Sequence, residues 1–244
     1  MNNPEPGHKK TEGMPVKRTS REETPSEIFA GCAKAARDRS PAPSDGLLDE
    51  RKALQRKHCL EARAGLSRRE REERSQRISE NLLKSLRSLP CVTPGATILA
   101  YAAFGDEADP GLCLRELRSM DVRVAFPAIM PGRQMLAAAP FDEAGMLPDR
   151  FGIPTPDLRR SETVLPEELS AVLVPCVGFD RRGQRLGHGW GYYDRFLVRC
   201  PKASRLLVAF AVQELPEIAV GPYDLPMDTI ITEEGILSFK REEG

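Results

Sequence analysis

One stretch of the chain, Gly178–Phe196, decides the fold and reads GFDRRGQRLGHGWGYYDRF. It follows an apolar run, Ala171–Pro175, that is typical of a buried strand. It leads into Trp190–Cys200, which contains no proline and has the pattern of a helix. The strand and the helix are therefore joined by a loop with four closely spaced glycines, Gly183, Gly187, Gly189 and Gly191.

The composition of this glycine loop favours an anionic ligand. Glycine lets the backbone take left-handed angles and lets its amides approach an anion closely. The positive end of the following helix, together with Arg185 and His188, favours a phosphate. Asp194, one turn into the helix, is a ligand that Mg²⁺ accepts beside a phosphate. The loop fits neither the Walker A pattern nor G-x-G-x-x-G, and a plain glycine-rich connector is the alternative interpretation.

Apolar runs alternate with helical patterns along the rest of the chain. Helices are predicted at Leu47–Ala64, at 68–88 after a Ser67–Glu70 capping box, and after Asp109-Pro110. Ile78, Leu82 and Leu86 recur at i, i+4 and i+8 and mark the buried face of the second helix. Strands are predicted at Thr97–Ala102, Val122–Phe126, Gln134–Phe141, Ala171–Pro175 and Leu206–Ala211, with a closing hairpin of Thr229–Thr232 and Gly235–Phe239.

This alternation predicts an α/β fold of three layers, in which a mainly parallel sheet is flanked by helices. Such sheets bind ligands at the carboxyl ends of their strands, so the loop after Val174 is the predicted site. Residues 1–46 are rich in proline, serine and charge and poor in apolar side chains. They predict a disordered N-terminal tail, with one marginal helical turn near 26–37, before a single catalytic domain over 47–244.

The composition excludes several classes of protein. The 244 residues carry 36 Lys+Arg and 36 Asp+Glu, which excludes a globally basic binder of nucleic acid. No apolar run approaches the ~20 residues that span a bilayer, and Met1–Lys10 has no signal-like apolar core. The six cysteines form no C-x-x-C pair, so we interpret them as reduced thiols, with Cys113 and Cys176 as core residues. We expect a soluble, cytoplasmic protein.

Although the net charge is zero, basic and acidic residues are distributed unevenly along the chain. Residues 47–90 carry twelve basic against seven acidic side chains, and residues 181–200 carry five against one. The segments 91–180 and 201–244 are net acidic. The N-terminal helices and the glycine loop are therefore two basic blocks in an otherwise acidic protein, which favours an anionic small molecule there.

From Pro175 to Leu197 the chain resembles, without a gap, the signature of the 5-formyltetrahydrofolate cyclo-ligase (methenyltetrahydrofolate synthetase) family. Further segments resemble the same family in the same order, and together they cover about 49–236. They are Lys52-x-x-x-Arg56 with Arg63 and Leu66-Ser67, Tyr101–Asp109, Phe151–Pro156, Gln213–Pro216 and Tyr223–Glu233.

The resemblance implies an enzyme that converts 5-formyltetrahydrofolate to 5,10-methenyltetrahydrofolate with ATP and Mg²⁺. The formyl oxygen attacks the γ-phosphate, the N10 amine closes the ring, and phosphate leaves. The implied ATP-binding residues are Lys52, Arg56, Arg185, Leu186, Gly187, His188, Gly189, Trp190, Gly191, Tyr192 and Tyr193. The implied folate contacts are Ala102, Glu107, His188, Trp190 and Tyr192, the Mg²⁺ ligands are Asp194 and Asp224, and the catalytic residues are Arg185, His188 and Tyr192.

Several of these side chains also have a plainer interpretation. Lys52 and Arg56, at i and i+4, suit a solvated helix face. Glu107 and Asp224 suit exposed turns. A buried aromatic such as Tyr192 is more often part of a core than of a binding site. The residue types alone therefore do not decide the functional roles of these side chains. The assignment of those roles rests on the family resemblance.

Two departures from the family pattern bear on substrate fit: Trp190 replaces a glycine or a basic residue, and Thr155 replaces a frequent glutamate. A second hypothesis, a non-catalytic nucleotide- or folate-binding module, rests on Trp190 and the long tail. A third hypothesis, RNA binding by the basic N-terminal helices, lacks interleaved aromatics. The expected partners are the folate and ATP, with no nucleic acid and no membrane, in a monomer or weak homo-oligomer.

Overall fold

The computed structural model describes residues 45–149 and 152–239. The predicted tail over 1–46 and its helical turn near 26–37 lie outside these residues, except for Asp45 and Gly46. Both belong to the first helix, which therefore begins two residues before the predicted position.

The described part of the chain contains four α-helices and twelve strands. The helices are α1 Asp45–Ala64, α2 Arg68–Arg87, α3 Gly111–Ser119 and α4 Tyr192–Leu197. The first six strands are β1 Thr97–Leu99, β2 Arg123–Met130, β3 Gln134–Pro140, β4 Met146–Pro148, β5 Pro154–Pro156 and β6 Ser161–Val164. The remaining strands are β7 Leu169–Pro175, β8 Gly178–Phe179, β9 Arg185–Leu186, β10 Ser204–Val208, β11 Thr229–Thr232 and β12 Gly235–Ser238.

Eight of the described strands form one sheet in the order β12-β11-β10-β7-β1-β2-β3-β6. Pairing is parallel from β11 through β2 and antiparallel at both edges, which confirms the mainly parallel sheet. β1 runs beside both β2 and β7, with Leu99 opposite Ala125 and Val172. The chain moves from β1 to one side through α3 and later returns on the other side as β7, so a crevice opens between the two carboxyl ends.

Helix α2 has the N-terminal cap and the buried face that its sequence predicts. The Ser67 hydroxyl accepts a hydrogen bond from the Glu70 amide, and the Glu70 carboxylate accepts one from the Ser67 amide, as the capping box predicts. Ile78, Leu82 and Leu86 are fully buried on the face that packs against the sheet.

The helices cover both faces of the sheet. α2 and α3 pack on one face with Ile98, Val124, Leu173 and Leu206. On the other face Phe196 and Leu197 of α4 pack with further apolar side chains from β7 and β10. The predicted three-layer arrangement is confirmed. α1 lies against the turn Ala211–Gln213 and β8 and crosses the carboxyl-end region of the sheet.

Several boundaries differ from the predictions. α4 is a short helix of six residues, not Trp190–Cys200. It begins only at Tyr192, because Gly191 before it takes a left-handed conformation with φ 65°. β2 continues past Phe126 to Met130, where it pairs with β3. Pro110 precedes α3 instead of occupying its first position, and the Asp109 carboxylate accepts a hydrogen bond from the Gly111 amide.

The thiols within the described residues are free. Cys113 and Cys176 are buried, as predicted for core residues. Burial raises the pKa of Cys59 to about 11 and that of Cys113 to about 12, which keeps both protonated at neutral pH. Cys91 is exposed. Within the described residues, no helix combines the length and the apolar character needed to cross a bilayer.

A pair of leucines tests how the core stabilises the fold. Leu82→Ala removes a side chain that is 0% exposed and should lower the free energy of unfolding by about 2–5 kcal/mol. Leu54→Ala, at a position 70% exposed, is the matched control and should change it by less than about 0.5 kcal/mol. Urea unfolding followed by circular dichroism measures both, and equal effects would contradict the assigned core.

Candidate active site

A cavity of about 320 Å³ lies beyond the carboxyl end of β7. It is lined by the glycine loop, by α1 and by residues on both sides of the β2–β3 turn. This is the place where a parallel sheet of this topology binds ligands. Its walls contain all the residues from Arg185 to Asp194, together with Lys52, Arg56 and Asp224. The topology thus brings together residues that are more than 170 positions apart in the chain.

The glycine loop has a backbone that requires glycine at particular positions. Gly189 and Gly191 have φ of 95° and 65°, in the left-handed region that disfavours other residues. A Cβ atom on Gly189 would lie 3.3 Å from the Arg56 guanidinium. Any larger residue there would displace a cation from the cavity wall.

A largely buried ion pair connects the start of the loop to α4. The Arg185 Nη2 lies 2.5 Å from the Asp194 Oδ1, and the Arg185 side chain is only 5% exposed. The Leu225 amide also donates to Asp194 Oδ1, over 3.3 Å. The Nε of Arg185 is buried without a hydrogen-bond partner among the described residues. Arg185 therefore has a donor left for a group that enters the cavity.

Two cations of α1 reach the same loop. The Lys52 ammonium lies 2.5 Å from Asp224 Oδ2, which also accepts a hydrogen bond from the Gly221 amide. The Arg56 Nε donates to the Gly187 carbonyl over 2.8 Å. The two side chains are one turn apart and face the cavity, so they are not the solvated helix face that is the plainer interpretation of their spacing.

Polar contacts fix α1 over this end of the sheet. The Gln55 amide group donates to the Glu217 carbonyl and accepts from the Ala219 amide. Further along, Arg63 is buried and its Nη2 lies 2.7 Å from Asp106. A single helix thus connects the loop at 217–224 with the acidic turn after β1.

That acidic turn presents Glu107 to the glycine loop. One Glu107 oxygen accepts a hydrogen bond from the Phe104 amide, and the other lies 3.9 Å from His188 Nε2. The Glu107 side chain is 18% exposed, whereas that of His188 is 53% exposed. Removal from water raises the pKa of Tyr193, and the nearby Glu107 carboxylate raises it further. Tyr193 therefore remains a neutral phenol.

Sequence reasoning missed one wall of the cavity. Pro127, Ile129 and Met135, from the strands on both sides of the β2–β3 turn, line this wall. The sequence pattern predicts that β2 ends at Phe126, which leaves residues 127–130 outside the strand. The signal in the sequence is the apolar run Val124–Met130, which is interrupted only by Pro127.

Two other residues lie away from the cavity. Ala102 lines a separate groove together with Phe126, Met146 and Pro154. Thr155 is in β5, where its hydroxyl donates to the Ile153 carbonyl. The replacement of glutamate by threonine at position 155 therefore does not alter the lining of the cavity itself.

Three carboxylates line the cavity, and Asp49 is the third beside the two predicted Mg²⁺ ligands. Among the described residues no three His, Cys, Asp or Glu side chains cluster as a metal-binding group. Asp194 and Asp224 nevertheless line the same cavity. Mg²⁺ is typically bound by one or two carboxylates together with substrate phosphates and water, so this donor set fits Mg²⁺ held jointly with a phosphate ligand and not a protein-only cage.

Comparison with known proteins identifies a family. The family model described as the 5-formyltetrahydrofolate cyclo-ligase family matches residues 49–233. A 5-formyltetrahydrofolate cyclo-ligase of Mycoplasma pneumoniae is 25% identical over 181 residues, which cover 73% of this chain and 96% of that protein. One from Mycolicibacterium smegmatis is 29% identical over 157 residues, covering 60% of this chain and 78% of the relative.

Solved structures give the same result. The NMR structure of Aquifex aeolicus 5,10-methenyltetrahydrofolate synthetase is 29% identical with a TM-score of 0.64, covering 79% of this chain and 95% of that one. The 5,10-methenyltetrahydrofolate synthetase of Mycoplasma pneumoniae is 25% identical with a TM-score of 0.61, covering 75% and 98%.

The Arg185–Asp194 pair generates a stability prediction. Arg185→Met leaves a mostly buried carboxylate without its cation and should lower the free energy of unfolding by about 3 kcal/mol. Arg182→Met is the matched control, because Arg182 is 65% exposed and its ion pair with Glu217 is longer, at 3.4 Å. Urea unfolding of both variants measures the change in the free energy of unfolding. If Arg185→Met lowers this free energy by no more than Arg182→Met does, the ion pair does not support the loop.

Proposed function

The chain belongs to the 5-formyltetrahydrofolate cyclo-ligase family, and we infer from this that it converts 5-formyltetrahydrofolate to 5,10-methenyltetrahydrofolate with ATP, releasing ADP and phosphate. One observation supports the inference most directly. Lys52, Arg56 and Arg185 converge on one glycine loop in a single cavity that also has an apolar wall. A polyanion and a flat aromatic substrate can therefore be held side by side.

ATP binds with its phosphates on the glycine loop, from Arg185 to Tyr193. The loop amides and the cations Lys52, Arg56 and Arg185 supply donors and positive charge. Before ATP enters, Lys52 is paired with Asp224 and Arg185 with Asp194. Phosphate oxygens compete for these cations, which frees carboxylate oxygens inside the cavity.

Asp194 and Asp224 would hold Mg²⁺ together with phosphate oxygens of ATP. When bound there, the ion neutralises charge on the phosphates and orients the terminal one. The protein's part is to keep both carboxylates in place through the Leu225 and Gly221 amides.

The folate binds between Glu107 and the apolar wall. The Glu107 carboxylate accepts hydrogen bonds from the amino-substituted pterin ring, since ring N–H groups match its free lone pairs. Tyr192 and Trp190 contact the folate from the side of the glycine loop. The apolar side chains of Pro127, Ile129 and Met135 complete the opposite surface.

The reaction depends mainly on positioning and charge neutralisation. The formyl oxygen attacks the γ-phosphorus, and the bond to the leaving ADP breaks. The N10 amine then attacks the activated formyl carbon. The carbon–oxygen bond of that carbon breaks as the ring closes, and phosphate leaves with the proton that N10 loses. Arg185, His188 and the Tyr192 hydroxyl stabilise the negative charge on the transferred phosphoryl group.

The alternatives are less well supported. The side chains of Arg68 and Arg69 on α2 form i, i+4 ion pairs with Glu72 and Glu73, which reduces the charge available to RNA. A binding module without turnover would bind ATP or folate in calorimetry but give no product. The cytoplasmic location and the monomeric or weakly associating state remain predictions.

Asp194→Asn tests the metal role. The amide keeps the shape of the side chain but removes its charge, and we expect turnover to fall at least about 100-fold. Absorbance of the methenyltetrahydrofolate product, formed from 5-formyltetrahydrofolate and Mg-ATP, measures it. Asp142→Asn is the control, because Asp142 lies outside the cavity and pairs with Arg160. Unchanged turnover in Asp194→Asn would refute the assignment.

Glu107→Gln tests the folate site. Loss of charge-assisted hydrogen bonds should raise the KM for 5-formyltetrahydrofolate by about tenfold or more, while the KM for ATP changes less than about twofold. The exposed Glu116→Gln on α3 is the control. If both KM values rise equally, Glu107 supports the structure of the site and does not recognise the folate specifically.

A further inference from the structure

One face of α1 follows the cavity from a buried end to an exposed end. Four residues at i, i+3, i+7 and i+14 share this face: Asp49, Lys52, Arg56 and Arg63. Arg63 is only 5% exposed, and the Lys52 side chain is 13% exposed. Asp49, which also lines the cavity, is exposed. The cavity therefore opens to solvent toward the N-terminal end of α1.

The direction in which ATP lies along this face follows from the proposed function, on which the inference rests. The γ-phosphate must lie beside the formyl oxygen, and the pterin ring that carries the formyl group lies against Glu107. The turn that contains Glu107 is attached to α1 through Arg63, so the γ-phosphate points toward that end of the helix. Arg56 and Lys52 are about 6 Å apart along the helix axis, a distance that three linked phosphates can span. The ribose then lies almost one turn further along, at Asp49.

The Asp49 carboxylate differs in its contacts from the other two carboxylates of the cavity. Asp194 and Asp224 are each paired with a cation and also accept a hydrogen bond from a backbone amide. Across residues 45–149 and 152–239, no group donates a hydrogen bond to the Asp49 side chain or forms an ion pair with it. Its oxygens are therefore available to a ligand.

Two plainer roles do not account for Asp49. An acidic side chain stabilises a helix dipole within the first turn, whereas Asp49 is the fifth residue of α1. In the part of the chain that the structure describes, no three His, Cys, Asp or Glu side chains cluster as a metal-binding group, so Asp49 does not join Asp194 and Asp224 in one. A carboxylate beside a phosphate site repels the phosphates, and hydroxyl donors on the same ligand offset that repulsion.

We propose that Asp49 binds the ribose of ATP, with its carboxylate oxygens accepting hydrogen bonds from the 2′- and 3′-hydroxyls. Each hydroxyl supplies one donor, and a carboxylate is an acceptor only. Acidic side chains bind ribose hydroxyls in the same way in dinucleotide-binding folds. Asp49 is then a specificity residue, which makes the protein select a ribonucleotide over a nucleotide that lacks these hydroxyls.

A comparison of ATP with 2′,3′-dideoxyATP, each with Mg²⁺, tests the proposal through calorimetric Kd values. The unmodified protein should bind the dideoxy nucleotide about tenfold more weakly, because charge-assisted hydrogen bonds are lost. Asp49→Ala should bind ATP about fivefold more weakly than the unmodified protein does, and the dideoxy nucleotide no more weakly, so the ratio of the two Kd values falls to about twofold or less. Alanine is favoured in an exposed helix, so the thermal unfolding midpoint should not fall.

Glu50→Ala is the matched control, because Glu50 is the neighbouring exposed residue of α1 and is not among the residues that line the cavity. It should leave both Kd values unchanged. Equal Kd values for the two nucleotides in the unmodified protein, or an unchanged ratio in Asp49→Ala, would overturn the ribose contact. Equal weakening of both nucleotides in Asp49→Ala would also overturn it, and would assign Asp49 to the phosphates or the metal.

The same measurements separate this inference from the proposed function. If the Kd ratios are as expected but no methenyltetrahydrofolate forms from 5-formyltetrahydrofolate and Mg-ATP, the proposed reaction is wrong and the ribose contact stands. If product forms but the ratio is the same with and without Asp49, the reaction stands and the ribose contact is wrong. If ATP does not bind to the unmodified protein, both are wrong.

Discussion

The placement of the glycine loop depends on the ion pair between Arg185 and Asp194. The pair joins the strand that enters the loop to the helix that leaves it, across nine residues whose glycines supply little stiffness. Because the pair is mostly shielded from water, it fixes the two ends of the loop more firmly than a surface contact would. The loop amides can then face the cavity, and Arg56 can approach Gly189 because no Cβ atom intervenes.

Much of the architecture was accessible from the sequence, because it is encoded locally. The capping box at Ser67 and the glycine spacing after β7 each act over a few residues, so their patterns predict α2 and the strand–loop–helix unit. The antiparallel extension of β2 was missed because Pro127 breaks its apolar run, although it fits the strand. Pairs such as Lys52 with Asp224, 172 residues apart, depend on the whole fold and leave no local pattern.

The site joins two kinds of surface, each contributed by different parts of the fold. Cations from α1 and the glycine loop line one part of the cavity, whereas apolar side chains from β2 and β3 line another part. His188 also lines the cavity, and its Nε2 lies 3.9 Å from a Glu107 carboxylate oxygen. The segregation of charge along the sequence, with basic blocks separated by acidic segments, becomes a segregation in space.

The polar attachment of α1 has a consequence for motion. Most of its length is outside the apolar core and is held by hydrogen bonds and ion pairs that water and salt ions can replace. Elements held in this way detach at lower free energy than core strands do. Amides of α1 should therefore exchange with deuterium before those of β1 and β7, and each detachment removes Lys52 and Arg56 together.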